Sequence, residues 1–395
     1  MRNRVPFMDL TFLLPRTAHA AIEERFGSWQ TELLLKRDAP EALVVHYDSR
    51  WSGEQLLDLV ETDYVIALTD PTALPPPGFA TRLLQLLEDP AVDAALPAAN
   101  ESSHPDQRKA LPEPYLTLRQ FETASAAVRS SGPPPLLVEW GESDPGAFAA
   151  AAEMLDRPLP LPRILKGRRV AIAPELYLHR YTSHRGQVRP DLLERIPLSA
   201  RSVLEFGCGE GALGAALKER QPCRVLGIEL DPEAAAIASR RLDGVLSGDA
   251  RDVIYKLKEK FDTIVGGDIL EHLDDPWSFL AGLRNVAEPG ALLLLSLPNV
   301  ANWAIIDDLL HGRFDYVHLG ILCAGHLRFF TRRSIEEMIG ISGWTLVSIE
   351  SQPKVLTSRY RDLISRMESA GIEFSRDDLE APGYYVVARN DSRSE

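Results

Sequence analysis

The chain has 395 residues and a formal net charge of -14. That length exceeds what one hydrophobic core usually serves, so two domains are expected. The acidic balance excludes broad nucleic-acid binding, which needs clustered Lys and Arg against phosphates, and 45% hydrophobic with 25% charged residues excludes a disordered chain.

No run approaches the ~18 apolar residues of a membrane helix, and the apolar N-terminal stretch is interrupted by Asp9 and ended by Pro15. A cytoplasmic protein without a signal peptide or transmembrane segment is expected. The cysteines, Cys208, Cys223 and Cys323, are too scattered for a disulfide framework and form no CxxC pair, so no metal site is expected.

The first region alternates short apolar runs with amphipathic segments. LTFLLP, ALVVHYDS, YVIALTD and VDAALPAA read as strands, with AHAAIEERFGSW, EQLLDLVE and FATRLLQLLEDP as helical patterns between them, which implies a small α/β sheet. Residues 100–114 turn polar and proline-bearing and read as a loop. A helical stretch at 118–131 and an alanine-rich one at 146–156 lead to RPLPLPRILKG, whose prolines mark a domain border. The expected division is 1–165, a linker or lid at 166–185, and 186–395.

The second region is more regular. Strands RSVLEFG, RVLGIEL, GVLSGD, FDTIVGGD and ALLLLSLP alternate with helical segments, the order of a doubly wound sheet. Asp231 followed by Pro232 predicts a helix N-cap with proline at the first helical position. WTLVSIES and GYYVVARN, with TSRYRDLISRMESAGI between them, suit a sheet edge with an antiparallel member.

The chemistry concentrates at VLEFGCGEG, residues 203–211, where a strand ends in Gly207, Gly209 and Gly211 before a helix. Glycines there let backbone N–H groups approach a ligand closely. The spacing is GxGxG rather than the dinucleotide GxGxxG, and Glu205 sits inside the turn. A carboxylate there repels a pyrophosphate but attracts a cationic amino-acid group. Glu229 ends the next strand, where a carboxylate can accept ribose hydroxyls, and Asp249 ends the one after, where it can accept from an adenine amine. An adenosine bearing a positively charged amino-acid arm fits all three: S-adenosylmethionine.

VLEFGCGEG, GIELDP, SGDA and FDTIVGGDILEHLDDP together resemble the successive motifs of class I S-adenosylmethionine-dependent methyltransferases. The likeness is strongest to the group of ubiquinone-biosynthesis and sugar O-methyltransferases, and it covers about residues 186–350. It implies a Rossmann-like methyltransferase sheet, with Glu205, Gly207 and Gly209 at the methionine, Glu229 and Leu230 at the ribose, Asp249 and Ala250 at the adenine, and Asp268 with Leu270 as the far wall. Many relatives have Asp where this chain has Glu205 and Glu229.

Methyl transfer to a hydroxyl needs a base. His272, after the fourth strand, and His326, in HLRFFT, are the candidates, with His318 nearby; each is equally readable as a hydrogen-bonded structural residue. Asn299 could bind an acceptor hydroxyl or end a strand, and Arg328 could meet an anionic acceptor or form a salt bridge. Tyr181, His184 and Arg189 precede the first strand, where a lid would lie.

The first domain, around YVIALTDPTALPPPGFA, resembles a family 2 glycosyltransferase of the GT-A fold. That family places an acidic metal-binding triplet where this chain has Thr69-Asp70-Pro71, and one Asp holds a cation and its nucleotide diphosphate poorly. A degenerate module for acceptor docking or assembly is expected. The functional expectation is O-methylation of a sugar or glycan-related hydroxyl by an S-adenosylmethionine-dependent enzyme. Methylation of a small phenolic or quinol acceptor and a non-catalytic cofactor-binding scaffold are the alternatives. The partners expected are a small-molecule or glycan acceptor and no nucleic acid, with room for a homodimer.

Overall fold

A computed structural model describes residues 10–16, 22–47, 62, 64–68, 72–92, 94–99, 116–131, 136–139, 169–179 and 186–391. The helical patterns at 54–61 and 146–156, the loop at 100–114, Thr69-Asp70-Pro71, Tyr181 and His184 lie outside them. The chain divides into two units, Met1–Tyr181 with Asp315–Gly325, and Thr182–Phe314 with His326–Glu395.

In the first unit, β1 (Leu10–Pro15) lies between β2 (Leu43–Tyr47) and β3 (Tyr64–Ala67), all parallel. Every residue of β1 is buried, as a central strand covered on both faces requires. Helix α1 (Ile22–Asp38) crosses from β1 to β2. A second sheet has the order β4 (Ala94–Ala99), β6 (Arg169–Leu178), β5 (Leu136–Glu139), with β6 parallel to β4 and antiparallel to β5. Leu10, Phe12, Leu14, Leu35, Phe79, Ala171 and Ala173 share one core.

Strand β6 corrects the expected linker at 166–185. Its residues Val170 to Ile172 are buried and paired with both β4 and β5, so this stretch belongs to the first unit's sheet. The division falls after Tyr181. Proline-rich residues just before it drew the expected border too early.

The second unit is built on seven strands: β7 (Ser202–Phe206), β8 (Arg224–Glu229), β9 (Gly244–Ser247), β10 (Phe261–Gly267), β11 (Ala287–Pro298), β12 (Thr345–Ser351) and β13 (Gly383–Arg389). Their order is β12-β13-β11-β10-β7-β8-β9. β13 runs antiparallel to both β11 and β12, and the other pairs are parallel. The sheet is mixed, Rossmann-like and covered by helices. The antiparallel strand is second from the edge because GYYVVAR is apolar on both faces and buried, whereas β12 alternates exposed and half-buried residues as an edge strand does.

Local signals act as elementary capping chemistry dictates. The Asp231 side chain accepts from the N–H groups of Glu233 and Ala234, with Pro232 at the first helical position. The helix after β10 is short. It runs Pro276–Leu283, gives way to a 3-10 turn at Arg284–Val286, and AEPG joins β11. Among the described residues no helix is long and apolar enough to cross a membrane.

Candidate active site

The parallel strands of the second unit end on one side, and the cofactor candidates lie at or just after those ends in sequence. After β7 the chain turns through Gly207, Gly209 and Gly211 at φ +69, +54 and +76, values that disfavour any side chain. A Cβ on Gly207 would stand 2.2 Å from Ile269 Cδ1. The N–H groups of Gly207 and Cys208 donate to the Ile228 carbonyl at 2.8 and 3.1 Å, so the turn is drawn onto the next strand.

Glu229 tightens that arrangement. One of its oxygens accepts the Gly209 N–H at 2.7 Å and the other the Asp231 N–H at 2.9 Å. Each carboxylate oxygen has two lone pairs, so a second bond per oxygen stays available. Sequence reasoning missed this bracing role, although a strand-end acid two residues before a helix cap is its signal.

Glu205 is 6% exposed, and its Oε2 has no hydrogen-bond partner. Burial raises its carboxyl pKa to about 8, against the Gly214 N–H, which favours the charged form, and with the Glu229 charge raising it further. A buried acid with an unsatisfied oxygen beside a glycine cradle suits a compact cation with N–H donors.

Asp249 caps the short helix Ala250–Val253 by accepting the Arg251 N–H. The Arg251 guanidinium holds its carboxyl below the ordinary range, and that same guanidinium also reaches Asp274. Ala250 is half-buried and Leu230 is exposed. Leu270 departs from its expected place on the far wall. It is 1% exposed and packs into the sheet's core, because the one-turn 3-10 helix Leu270–His272 turns that side chain inward.

Asp268 is the one non-glycine residue with positive φ among the described residues, at +54, a conformation that marks functional turns. Its carboxylate takes a 2.6 Å ion pair from Arg189 and a 2.8 Å hydrogen bond from the Ser296 hydroxyl. Arg189 also pairs with Asp191 at 2.7 Å. Rather than joining a lid, Arg189 clamps the end of β10.

The rings of His272 and His326 lie 4.8 Å apart and nearly perpendicular, at 85°. The Glu271 carbonyl accepts the N–H groups of Leu327 and Arg328 at 2.8 and 3.0 Å, which staples the two segments together. The Arg328 guanidinium donates to the Asp274 and Leu327 carbonyls, so it serves this staple rather than an anionic acceptor. Glu271 is 1% exposed with Oε2 unpartnered. Burial, and then the Asp268 charge, lift its pKa well above the ordinary range.

One donor atom each from Glu271, His272 and His326 lies within 4.8 Å of the others. No metal site was expected, because the scattered cysteines form no CxxC pair. Phe329 stands 6.4 Å from His326 and 5.6 Å from Phe314, which gives this side an aromatic face.

Two further candidates belong elsewhere. Asn299 is fully buried, its amide donates to the Asp378 and Ala381 carbonyls at 2.7 and 2.8 Å, and its oxygen accepts from the Ala301 N–H. That is a strand-end brace, out of an acceptor's reach. His318 lies in the 315–325 segment grouped with the first unit, and its carbonyl accepts from the Cys323 thiol at 3.1 Å.

Residues 178–349 match a family model described as a methyltransferase domain. This stretch is a methyltransferase domain of the S-adenosylmethionine-dependent class, and S-adenosylmethionine is its cofactor. The chain is 37% identical over 121 residues to a ubiquinone biosynthesis O-methyltransferase of Xylella fastidiosa (strain 9a5c), covering 28% of this chain and 48% of that protein. A protein of the same name from Hahella chejuensis (strain KCTC 2396) is 36% identical over 114 residues, 27% and 47% of the two chains. The chain thus spans about half the length of the curated relatives it matches. Among solved structures, a SAM-dependent methyltransferase from Archaeoglobus fulgidus aligns with TM-score 0.39 and 17% identity, covering 52% of this chain and 94% of its own.

Proposed function

We propose that the second unit methylates a hydroxyl oxygen of a small phenolic or quinol-type acceptor. The observation that carries this acceptor class is the ring face of Phe314, Phe329, His326 and His272, which stacks well against a flat ring. A phenol also ionises near pH 10, far more readily than a sugar hydroxyl, so a modest base suffices. The names of the relatives agree with O-methylation.

In this reading the cofactor's ammonium pairs with Glu205 over the Gly207 and Gly209 turn. Its ribose hydroxyls donate to Glu229 beside Leu230, and its adenine amine donates to Asp249 beside Ala250. Asp268, held by Arg189, closes the far side. When bound, the cofactor would supply the methyl group to the acceptor oxygen and leave as S-adenosylhomocysteine, and the His272 and His326 pair would take the hydroxyl proton. Alignment supplies much of the acceleration.

A sugar acceptor is the second reading. It is supported by the first unit, whose parallel β2-β1-β3 sheet and whose sequence Thr69-Asp70-Pro71 suit a degenerate glycosyltransferase-like module. The full chain with methyl-labelled cofactor and a panel of catechols, quinols, nucleotide sugars and oligosaccharides separates the two. Label in aryl ethers is expected, and label on sugars alone would reverse the assignment.

A further inference from the structure

We propose that the first unit is a positioning element for methyl transfer: by gripping residues 315–325 it sets Phe314 and His326, which flank that segment. The chain leaves the second unit after Phe314, runs through Asp315–Gly325 as part of the first unit, and re-enters the second unit at His326. Both flanking residues belong to the ring face. The role given to them rests on the methyltransferase reading of the acceptor side; the grip itself does not.

The segment is a closed loop. The Val317 N–H donates to the Leu322 carbonyl at 3.0 Å, and the Val317 carbonyl accepts the Ala324 N–H at 2.9 Å. Gly320, at φ +120, takes a conformation open mainly to glycine, and its carbonyl accepts the Cys323 N–H at 3.0 Å. A loop pinned across its base in this way moves as one body. Only Gly325 separates Ala324 from His326, so a displacement of the loop reaches the imidazole's backbone almost undiminished.

Helix α1 supplies much of the grip. Val317 is 5% exposed and packs with Leu34, Leu74, Leu118 and Phe121. The Phe26 ring meets the Tyr316 ring edge-on at 6.4 Å, and Gly27 permits the close approach, since a Cβ there would stand 3.1 Å from His318 Cβ. Phe26, Gly27, Gln30 and Leu34 share one face of the helix by their spacing. Gln30 Nε2 donates to the Tyr316 carbonyl at 2.9 Å. Its Oε1 is buried and has no partner among the described residues, a cost offset through the other half of the amide, which holds a residue 286 positions along the chain.

A ring stacked on Phe314 and His326 needs both side chains in place. With the loop held, they are placed before the acceptor arrives; with the loop loose, ordering them draws on the acceptor's binding energy. The coupling is reciprocal, so an occupied acceptor site tightens the grip by the same factor. Phe314 and His326 are the groups that touch the acceptor, and Val317 and Gln30 act through them as positioning residues.

The test follows amide hydrogen exchange in the full chain at Leu327 and Arg328, whose N–H groups bond to the Glu271 carbonyl, together with S-adenosylhomocysteine affinity and methyl transfer to hydroquinone. Val317→Ala should speed exchange at both amides and lower kcat/KM for hydroquinone, each at least ~3-fold, with S-adenosylhomocysteine affinity kept. Leu83→Ala, in the first unit's other core, should leave all three at their wild-type values. Should Val317→Ala fail to fold, Gln30→Ala carries the same readout. Unchanged exchange in Val317→Ala and Gln30→Ala, or equal acceleration by Leu83→Ala, overturns the positioning role. A wild type that binds S-adenosylhomocysteine and leaves hydroquinone unmethylated strikes the phenolic reading instead, and the exchange comparison still decides the grip.

Discussion

Glu229 Oε2 accepts the Gly209 N–H at 2.7 Å, so the acid at the end of one strand holds the middle of the glycine turn that ends its neighbour. With Asp231 N–H on the other oxygen, the carboxylate fixes the shape of the turn before any ligand arrives. Glu229→Ala removes both braces and the ribose acceptor together. It should weaken cofactor affinity by ~1–3 kcal/mol, with Glu229→Gln intermediate because one amide oxygen still accepts. Calorimetric titration decides, and unchanged affinity in the alanine variant would refute the assignment.

Gly207 is constrained twice, by φ +69 and by Ile269 Cδ1 at 2.2 Å from an added Cβ. Gly207→Ala should therefore lower stability by about 2–4 kcal/mol, combining backbone strain with overpacking. Because the clash is with a side chain, Ile269→Ala in the same chain should restore part of the loss but none of the strain. Denaturant unfolding of the two single variants and the double variant yields the coupling directly; additive losses would show that Ile269 plays no part.

Glu205 makes stability depend on pH. Its folded pKa of about 8 lies above the ordinary carboxylate value, so the folded state holds the proton more tightly than the unfolded chain. Below about pH 4.5 both states are protonated and the burial is cheapest. As pH rises toward 8 the unfolded chain ionises while the fold resists, and stability falls by a few kcal/mol in all, at roughly 1.4 kcal/mol per pH step of one. Glu205→Gln should flatten the cofactor-free stability profile between about pH 4.5 and 8. Thermal unfolding across that range measures it, and equal slopes in both proteins would remove Glu205 as the cause.

Local chemistry was readable in advance: three glycines that need positive φ, an aspartate cap before proline, and acids at successive strand ends. What escaped is long-range pairing. Nothing near His326 in the sequence says that the following N–H groups will bond to the Glu271 carbonyl and bring the two imidazoles together. Nothing near Arg189 points to Asp268, 79 residues later. The position of β13 inside the sheet followed from apolarity on both faces, a signal present in GYYVVAR but overshadowed by its late place in the chain. Asn299 misled for the opposite reason, since a polar residue at a strand end in a cofactor fold resembles a ligand whether it faces the site or the core.

Asn299 and Phe329 therefore make opposite predictions. Asn299 braces Asp378, Ala381 and Ala301 from a fully buried position, so Asn299→Ala leaves two carbonyls and an N–H without partners. It should lower stability by about 2–4 kcal/mol, while KM for the acceptor in the folded fraction stays near the wild-type value. Phe329 is half-buried beside His326, and Phe329→Ala should do the reverse: a modest loss of stability, with KM for a phenolic acceptor raised ~5–10-fold as a stacking contact of about 1 kcal/mol or more disappears. Cofactor affinity should be untouched in both. Steady-state kinetics with unfolding curves on the two variants tests the ring face itself; an unchanged KM in Phe329→Ala would move the acceptor away from it.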